Sequence, residues 1–170
     1  RKIKTYIFYI MSHKRIVIWG PAAAGKNFLR TPLEERGFKF DVSYTTRPMR
    51  PGEQEGVDYN FIKNDVFAFM AQVGAFYEHV IHNGFGYGTG MKEWQTSDCF
   101  IMETDGIKHI DSKSRKHTFI IYLNPPAKIR KERMVERGWT EEQINKRIKE
   151  DNKKFKNFMD YDLMITNPNF

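Results

Sequence analysis

A glycine-rich segment that ends in lysine, Gly20–Lys26, combines residue types and spacing that suit phosphate chemistry. It fits the pattern G-x-x-x-x-G-K and follows the apolar run Ile16–Trp19. Glycines let the backbone curl so that successive N–H groups face an anion, while the lysine ammonium reaches the outer phosphates of a nucleotide. We therefore predict a phosphate-binding loop between a buried strand and a helix. The residues predicted to contact the nucleotide are Gly20, Pro21, Ala22, Ala23, Ala24, Gly25, Lys26, Asn27 and Phe28.

The residue directly after the lysine is asparagine, where such loops normally have a serine or threonine whose hydroxyl holds Mg²⁺. An amide oxygen is also a hard ligand, so we expect Asn27 to hold Mg²⁺ directly or through water. The substitution predicts weaker metal binding, and hence slower turnover, than a hydroxyl would give.

A second group of polar side chains lies in Ser43–Glu53, a segment rich in arginine and proline. Arg47 and Arg50 supply planar pairs of N–H donors, which suit a phosphate monoester dianion better than a lysine does. The segment predicts an extended loop that binds a second phosphate group. The alternative is that both arginines are solvated loop charges.

Composition excludes a membrane span, a disulfide framework and a cysteine metal site, whereas the charge leaves the kind of binding partner open. The chain has 28 Lys/Arg against 21 Asp/Glu, a net charge of +7, and the excess is concentrated in residues 108–157. A basic region suits nucleic acid, an anionic membrane or a phosphate-rich small ligand. No stretch reaches the roughly 18 apolar residues of a membrane span. The single cysteine, Cys99, allows neither a disulfide framework nor a cysteine metal site, and we expect a cytoplasmic protein.

The elements that must position these residues alternate as in an α/β domain. Asn83-Gly84 predicts a two-residue hairpin turn, and a helix is expected from about Lys26, shortened or kinked by Pro32. Thr140–Gln143 predicts a capping box that opens a helix whose apolar stripe is interrupted at Asp151. The predicted strands are 16–19, 76–82, 85–89, 100–103, 118–123 and 162–166, with a helical turn at 107–110.

Taken together, these segments resemble the hallmarks of guanylate kinases. Ser43–Glu53, followed by Gly56–Phe61, is similar to the family's S-x-T-T-R-x-x-R-x-G-E and G-x-D-Y-x-F. The phosphate loop is similar to the family's G-P-S-G-x-G-K-S-T, with substitutions. Further similarities are Phe76–Glu78 with Gly84–Thr89, Pro125-Pro126 with the arginines that follow, and Ile165–Asn167. The matches occur in the family's order across residues 16–167.

The resemblance implies an α/β fold of the P-loop NTPase type, with a three-layer core and a parallel sheet, an inserted mixed α/β GMP-binding region and a helical lid. It implies a single domain over 12–170, divided into a core (12–39 and 98–170), a GMP-binding region (40–96) and a lid (126–150). We expect residues 1–11 to be an N-terminal extension. Monomer and homodimer both remain open.

The resemblance also implies an activity: ATP-dependent phosphorylation of GMP or dGMP by direct in-line transfer, with Mg²⁺ as the cofactor of ATP. The implied catalytic residues are Lys26, Arg47 and the three lid arginines Arg133, Arg137 and Arg147. The implied ligands of the acceptor phosphate are Ser43, Arg47, Arg50, Tyr59 and Tyr87, with Glu53 orienting the arginines. Asn167 would belong to the ATP pocket.

Glu78 and Thr89 are implied to bind the guanine base. Guanine presents N1–H and its 2-amino group side by side, so one carboxylate accepts both, whereas adenine would leave a buried charge unpaired. A second acid is implied at Glu103, with Asp105 as the fallback, both within a motif of the family that ends at Gly106. Ile101 stands where the family has a carboxylate that is a partner of magnesium.

Three alternatives remain open at this point. A guanylate-kinase-like binding module that has lost catalysis would explain Asn27. A broader deoxynucleoside-monophosphate kinase would tolerate the altered motifs. Nucleic-acid binding by the basic helices would need stacking aromatics among the basic residues, and the helix from 140 instead puts its aromatics on the expected core face. We therefore expect no nucleic-acid partner, and we interpret Lys149, Lys153, Lys154 and Lys156 as a solvated helix face.

Overall fold

The computed structural model describes residues 13–167, which form two units. The first unit comprises the described residues up to Phe38 and from Cys99 onward, and the second is Lys39–Asp98. The extension predicted at residues 1–11 lies outside the described residues. Among those described, none of the helices has both the length and the apolar character needed to cross a membrane.

Strands and helices alternate along the described part of the chain. The strands are β1 (Arg15–Trp19), β2 (Tyr44–Thr45), β3 (Asn60–Phe61), β4 (Phe76–His82), β5 (Phe85–Gly90), β6 (Cys99–Ile101), β7 (Thr118–Leu123) and β8 (Leu163–Ile165). The helices are α1 (Lys26–Glu34), α2 (Asn64–Gln72), α3 (Met91–Thr96), α4 (Thr104–Lys108), α5 (Ser112–Arg115), α6 (Ala127–Glu136) and α7 (Glu141–Phe155). The predicted α/β class is confirmed.

The first unit is built on a parallel sheet with the strand order β6-β1-β7-β8. Val17 of β1 lies opposite Phe100 on one side and Ile120 on the other. Every residue of β1 and β7 is buried. Parallel strands that are covered on both faces are continuously apolar, which is why these two strands can be predicted from sequence. The strand predicted at 100–103 ends at Ile101 because Glu103 is already the N-cap of α4.

Two helices of this unit carry the segments that matter for the site. Helix α1 begins at Lys26, directly after the glycine-rich loop, and continues through Pro32 to end at Glu34. Helix α7 begins at the predicted capping box, which is confirmed. The Gln143 backbone N–H donates to Thr140 Oγ1 at 3.3 Å, and the Thr140 N–H donates to Gln143 Oε1 at 2.9 Å. These two bonds satisfy N–H groups at the helix start that have no partner within the helix.

Aromatic rings connect the sheet of the first unit to helix α7. Trp19, at the end of β1, has ring-centroid distances of 4.2 Å to Tyr122 and 4.9 Å to Phe155. Its indole N–H donates to Thr104 Oγ1 at 3.1 Å, so the one polar atom of this buried ring is satisfied. The contacts fix helix α7 next to the end of β1, where the glycine-rich loop begins.

The second unit has a mixed sheet with the strand order β3-β2-β5-β4. Strands β2 and β3 are parallel, whereas β5 is antiparallel to both β2 and β4. Asn83 (φ 52°) and Gly84 (φ 79°) form the turn between β4 and β5, and positive φ at both positions matches the predicted hairpin. The hairpin carries Glu78 on β4 and Thr89 on β5, which lie opposite each other.

Candidate active site

The glycine-rich loop of the first unit connects β1 to α1 in a shape that glycine makes possible. A Cβ atom at Gly20 would lie 2.4 Å from the backbone carbonyl oxygen of Leu123 on β7, a distance that no side chain tolerates. Gly25 has φ 100°, in the region that only glycine adopts readily. The loop therefore reaches the helix start in the curled form that presents backbone N–H groups to an anion.

The Lys26 ammonium group lies over this loop. Its Nζ donates to the carbonyl oxygens of Gly20 at 2.7 Å and of Pro21 at 3.1 Å. Burial lowers the pKa of Lys26, and the nearby charges of Arg147 and Lys154 also lower this pKa, while Glu103 and Asp151 oppose the shift. Lys26 is thus surrounded by charges of both signs.

Of the three predicted lid arginines, one contacts the loop and a second pairs with an acid that contacts the loop. Arg133 donates from Nη1 to the carbonyl oxygen of Ala23 at 3.1 Å. Arg147, on α7, pairs through Nε with Asp151 at 3.0 Å. Arg137 is the C-cap of α6 and is exposed. A fourth arginine, Arg130 on α6, was not indicated by the sequence and is only 4% exposed.

Asp151 is a second residue of this site that sequence reasoning missed. It is 2% exposed and accepts a hydrogen bond from the Ala22 backbone N–H at 3.0 Å. Its carboxylate also pairs with Arg130 at 3.2 Å and with Arg147 at 3.0 Å. The signal was present, because an acid interrupting an apolar helix stripe is costly to bury unless it is paired.

Lys154 does not belong to a solvated helix face, as its place in the sequence had suggested. Its side chain is 24% exposed, and its ammonium group pairs with Glu103 Oε2 at 2.5 Å. The other three lysines of that set, Lys149, Lys153 and Lys156, are exposed as expected. The prediction failed for Lys154 because its partner lies 51 residues away in sequence.

Asn27, Phe28, Asp105 and Asn167, also predicted from sequence in the first unit, are exposed, whereas Pro21 and Ala24 of the loop are buried. Asn27 follows Lys26 on the first turn of α1, and the next residue, Phe28, is 66% exposed. Asp105 pairs with Lys108 at 3.2 Å on the surface of α4. Asn167 lies two residues after the end of β8.

Arg47 and Glu53 form the centre of the predicted acceptor site in the second unit. The two side chains meet in a bidentate pair, with Nη1 to Oε2 at 2.7 Å and Nη2 to Oε1 at 2.6 Å. Burial alone would lower the pKa of Arg47, but the hydrogen bonds and charge of Glu53 outweigh it and raise that pKa. For Glu53 the effect of burial has the opposite sign and would raise the pKa. The hydrogen bonds from Arg47 and from the Arg50 N–H outweigh burial and lower that pKa. Both groups are therefore charged at neutral pH.

Three of the other predicted phosphate ligands, Tyr59, Tyr87 and Arg50, lie near this pair. The Arg47 guanidinium lies 5.1 Å from the ring centroid of Tyr59, and the rings of Tyr59 and Tyr87 are 6.2 Å apart. The Ser43 hydroxyl donates to the carboxylate of Asp41. Arg50 is exposed, and its backbone N–H donates to Glu53 at 2.8 Å. One buried and one exposed arginine thus flank a single carboxylate, with two phenol rings close by.

Glu78 and Thr89 form a buried polar pair on the hairpin of the second unit. Glu78 is 7% exposed and Thr89 is 1% exposed. The Thr89 hydroxyl donates to Glu78 Oε1 at 2.8 Å, which orients the carboxylate. A buried, oriented carboxylate can accept two adjacent N–H groups from a flat polar ligand.

The described residues contain no group of three or more His, Cys, Asp or Glu side chains that could hold a metal ion. The oxygen atoms near the loop come instead from Asn27 and from the paired carboxylates Glu103 and Asp151.

Comparisons with known proteins agree with the motifs. The sequence model of the family described as guanylate kinase matches residues 12–170. The chain is 34% identical to the guanylate kinase of Aster yellows witches'-broom phytoplasma, covering 89% of this chain and 77% of that protein. It is 31% identical to the guanylate kinase of Alkalilimnicola ehrlichii, covering 91% and 80% of the two chains.

A solved structure is similar over most of its length as well. The guanylate kinase of Anaplasma phagocytophilum superposes with a TM-score of 0.69 at 25% identity, covering 92% of this chain and 78% of that one. The matching sequence model and these relatives agree with the glycine-rich loop on the parallel sheet and with the Arg47–Glu53 ion pair: the chain belongs to the guanylate kinase family.

Proposed function

We propose that this protein transfers the terminal phosphoryl group of ATP directly to GMP or dGMP, giving ADP and GDP or dGDP. A phosphate oxygen of the acceptor attacks the γ-phosphorus while the bond to the β,γ-bridging oxygen breaks. No covalent enzyme intermediate is needed, since positioning and charge stabilisation account for catalysis of this kind. Membership of the guanylate kinase family supports the proposal. Relatives with that name do not favour a binding module or a broader deoxynucleotide kinase.

The observation that carries the proposal is the buried pair of Glu78 and Thr89. Phosphate loops occur in many proteins that bind nucleotides, so the loop alone does not select an acceptor. A buried carboxylate accepts the N1–H and 2-amino groups of guanine together, whereas adenine presents an acceptor at N1. This pair therefore supports a guanine nucleotide as the acceptor.

The acceptor phosphate is proposed to bind at Arg47 and Arg50, assisted by Ser43, Tyr59 and Tyr87. Glu53 holds the Arg47 guanidinium in one orientation through two hydrogen bonds. A group that is already oriented loses less conformational entropy when it binds a ligand. The ionised Arg47–Glu53 pair thus supports a preformed site for a phosphate monoester.

The phosphates of ATP are proposed to bind at Gly20–Phe28, with Asn167 near the nucleotide. Lys26 and Arg133 would bind the outer phosphates and stabilise charge on the moving phosphoryl group. Arg147 would do the same from α7. Arg137 is exposed, and in this scheme its guanidinium group binds a phosphate of ATP. The lid assigned to residues 126–150 remains a prediction, as do the second base contact at Glu103 and its fallback at Asp105.

We propose Mg²⁺ as the ion that accompanies ATP. Mg²⁺ commonly takes one or two protein ligands and completes its octahedron with phosphate oxygens and water. The Asn27 amide oxygen, next to Lys26, fits such a partial ligand set. When bound, Mg²⁺ neutralises charge on the outer phosphates. A cytoplasmic location is supported by the cysteine content, since the sequence has one cysteine, Cys99, and it is buried. Both monomer and homodimer are compatible with the proposal.

The test is steady-state ADP production from Mg-ATP with GMP, dGMP, AMP, UMP or CMP as acceptor. Turnover should be confined to the guanine nucleotides. Glu78→Gln should lower kcat/KM for GMP about 10- to 150-fold, because a hydrogen bond to a charged group contributes about 1.5–3 kcal/mol. The exposed Glu35→Gln, on the first unit, is the matched control and should change nothing. Equal turnover of AMP, or a Glu78→Gln protein as active as wild type, would contradict the proposal.

A further inference from the structure

We propose that Asp151 is a positioning residue for phosphoryl transfer, which sets the phosphate loop at Ala22 and orients Arg147 toward the nucleotide phosphates. The inference rests on the proposed function and adds to it a residue that the family motifs in this sequence did not indicate. Asp151 lies on α7, in a stripe whose other buried members, Ile144 and Phe155, are apolar.

Three groups from three segments meet at its carboxylate. The Ala22 N–H belongs to the phosphate loop, Arg130 to α6 and Arg147 to α7 itself, at distances of 3.0, 3.2 and 3.0 Å. Asp151 and Arg130 are 2% and 4% exposed, so these charges meet where water screens them little. A buried carboxylate is retained when each of its oxygens has a partner, and here Oδ2 and Oδ1 are both engaged.

The next residue of the same loop is also held by a charged side chain. Arg133 on α6 donates to the Ala23 carbonyl oxygen at 3.1 Å, directly after the residue whose N–H is bound by Asp151. Side chains of α6 and α7 therefore fix two successive residues of the phosphate loop. Side-chain hydrogen bonds thus join the predicted lid helices to the loop within the first unit.

Asp151 also balances charge around the lysine of the loop. Its negative charge raises the pKa of Lys26, opposing the effect of Arg147. Without the negative charge of Asp151, the positive charges of Arg147, Arg130 and Lys26 would repel one another uncompensated. The two guanidinium groups would then move apart. Because supporting residues of this kind fix the groups that contact substrate, their loss lowers turnover more than substrate affinity.

The experiment compares Asp151→Asn with Asp162→Asn. Asp162 is a matched control in the same unit, since it also accepts a backbone N–H, from Ile120 at 2.7 Å, and pairs with an arginine, Arg115, at 3.1 Å. Thermal unfolding of each variant fixes an assay temperature at which both are fully folded. Asp151→Asn should then lower kcat at least about 10-fold while KM for GMP stays within about twofold. Asp162→Asn should lose thermal stability and keep kcat.

A double-mutant cycle with Arg147→Ala separates positioning from a purely structural role. If Asp151 acts through Arg147 as well as through the loop, the double variant Asp151→Asn/Arg147→Ala loses less activity than the product of the two single losses, because only the contact at Ala22 is still to be lost once Arg147 is gone. If the fold-loss in kcat of the double variant equals the product of the two single fold-losses, the inference is overturned. A fully folded Asp151→Asn protein with wild-type kcat would overturn it as well.

If Asp151→Asn does not fold, the variant Asp151→Asn/Arg130→Gln takes its place in the cycle. Removing one buried cation along with the carboxylate leaves less uncompensated charge. The losses of activity in this cycle are then compared in the same way. Wild-type protein without turnover would contradict the proposed function and this inference with it. Active wild type alongside a fully active Asp151 variant would contradict the inference alone.

Discussion

Replacing Glu53 by glutamine should disable the acceptor site while leaving the donor site intact. The carboxylate accepts two hydrogen bonds from Arg47, at 2.6 and 2.7 Å, and a third from the Arg50 backbone N–H at 2.8 Å. Glutamine keeps one acceptor oxygen and turns an amide N–H₂ group toward donors that have no lone pair to offer. At least one charge-assisted bond is lost, and Arg47 loses the partner that fixes its guanidinium plane.

The expected size of the effect follows from the type of bond. A hydrogen bond between charged groups contributes about 1.5–3 kcal/mol, which corresponds to a fall of about 10- to 150-fold in kcat/KM for GMP. KM for ATP should change little, because the residues proposed to bind ATP lie in the other unit. Arg47 is 7% exposed, so urea unfolding should also show a loss of stability, since a buried charge then lacks its partner.

The assay is coupled ADP production with GMP varied at saturating ATP, and then with ATP varied at saturating GMP. Glu55→Gln is the matched control, because Glu55 is an exposed acid two residues along the same loop that accepts a hydrogen bond from the Phe61 N–H. Its kcat/KM should stay within about threefold of wild type. An unchanged kcat/KM for GMP in Glu53→Gln, or an equal loss in both variants, would refute the reasoning.

Three further predictions concern the loop, the metal and pH. Gly20→Ala puts a Cβ atom 2.4 Å from the Leu123 carbonyl oxygen, and such overpacking should cost about 1–3 kcal/mol in urea unfolding together with loss of ATP binding. Asn27→Ser supplies the hydroxyl that such loops normally have, so the Mg²⁺ concentration that gives half-maximal rate should fall, and an unchanged Mg²⁺ dependence would argue against Asn27 as a ligand. Because the folded-state pKa of Glu53 is below 4.5, the stability it gains from Arg47 is fully present above about pH 4.5 and is lost as pH falls through the lower value. The difference in unfolding free energy between wild type and Glu53→Gln should therefore be constant from about pH 7 to 5 and shrink only in more acidic solution.

Features determined by neighbouring residues were predictable from the sequence. The Asn83-Gly84 turn needs positive φ at two successive residues, and few other dipeptides allow it. The capping box at Thr140 depends on groups three residues apart. Strands β1 and β7 are visible as continuous apolar runs because both faces of a parallel sheet are covered.

The features that the sequence did not reveal depend on partners far along the chain. Asp151 contacts Ala22 across 129 residues, and Lys154 contacts Glu103 across 51. The helical pattern by itself indicates that Asp151 interrupts an apolar stripe and that Lys154 is a surface charge. Only the packing of α7 against the loop and against α4 gives each of them a partner, and local sequence spacing contains no information about that packing.

The central claim, direct transfer from ATP to a guanine nucleotide, is tested most directly with ATP labelled in its γ-phosphoryl group. Wild-type protein mixed with labelled ATP and GMP should form labelled GDP at the same rate as ADP, and Lys26→Ala should form neither. ADP released without labelled GDP would show hydrolysis rather than transfer, and protein that binds GMP and forms no product would show a binding function. Either result would contradict the account.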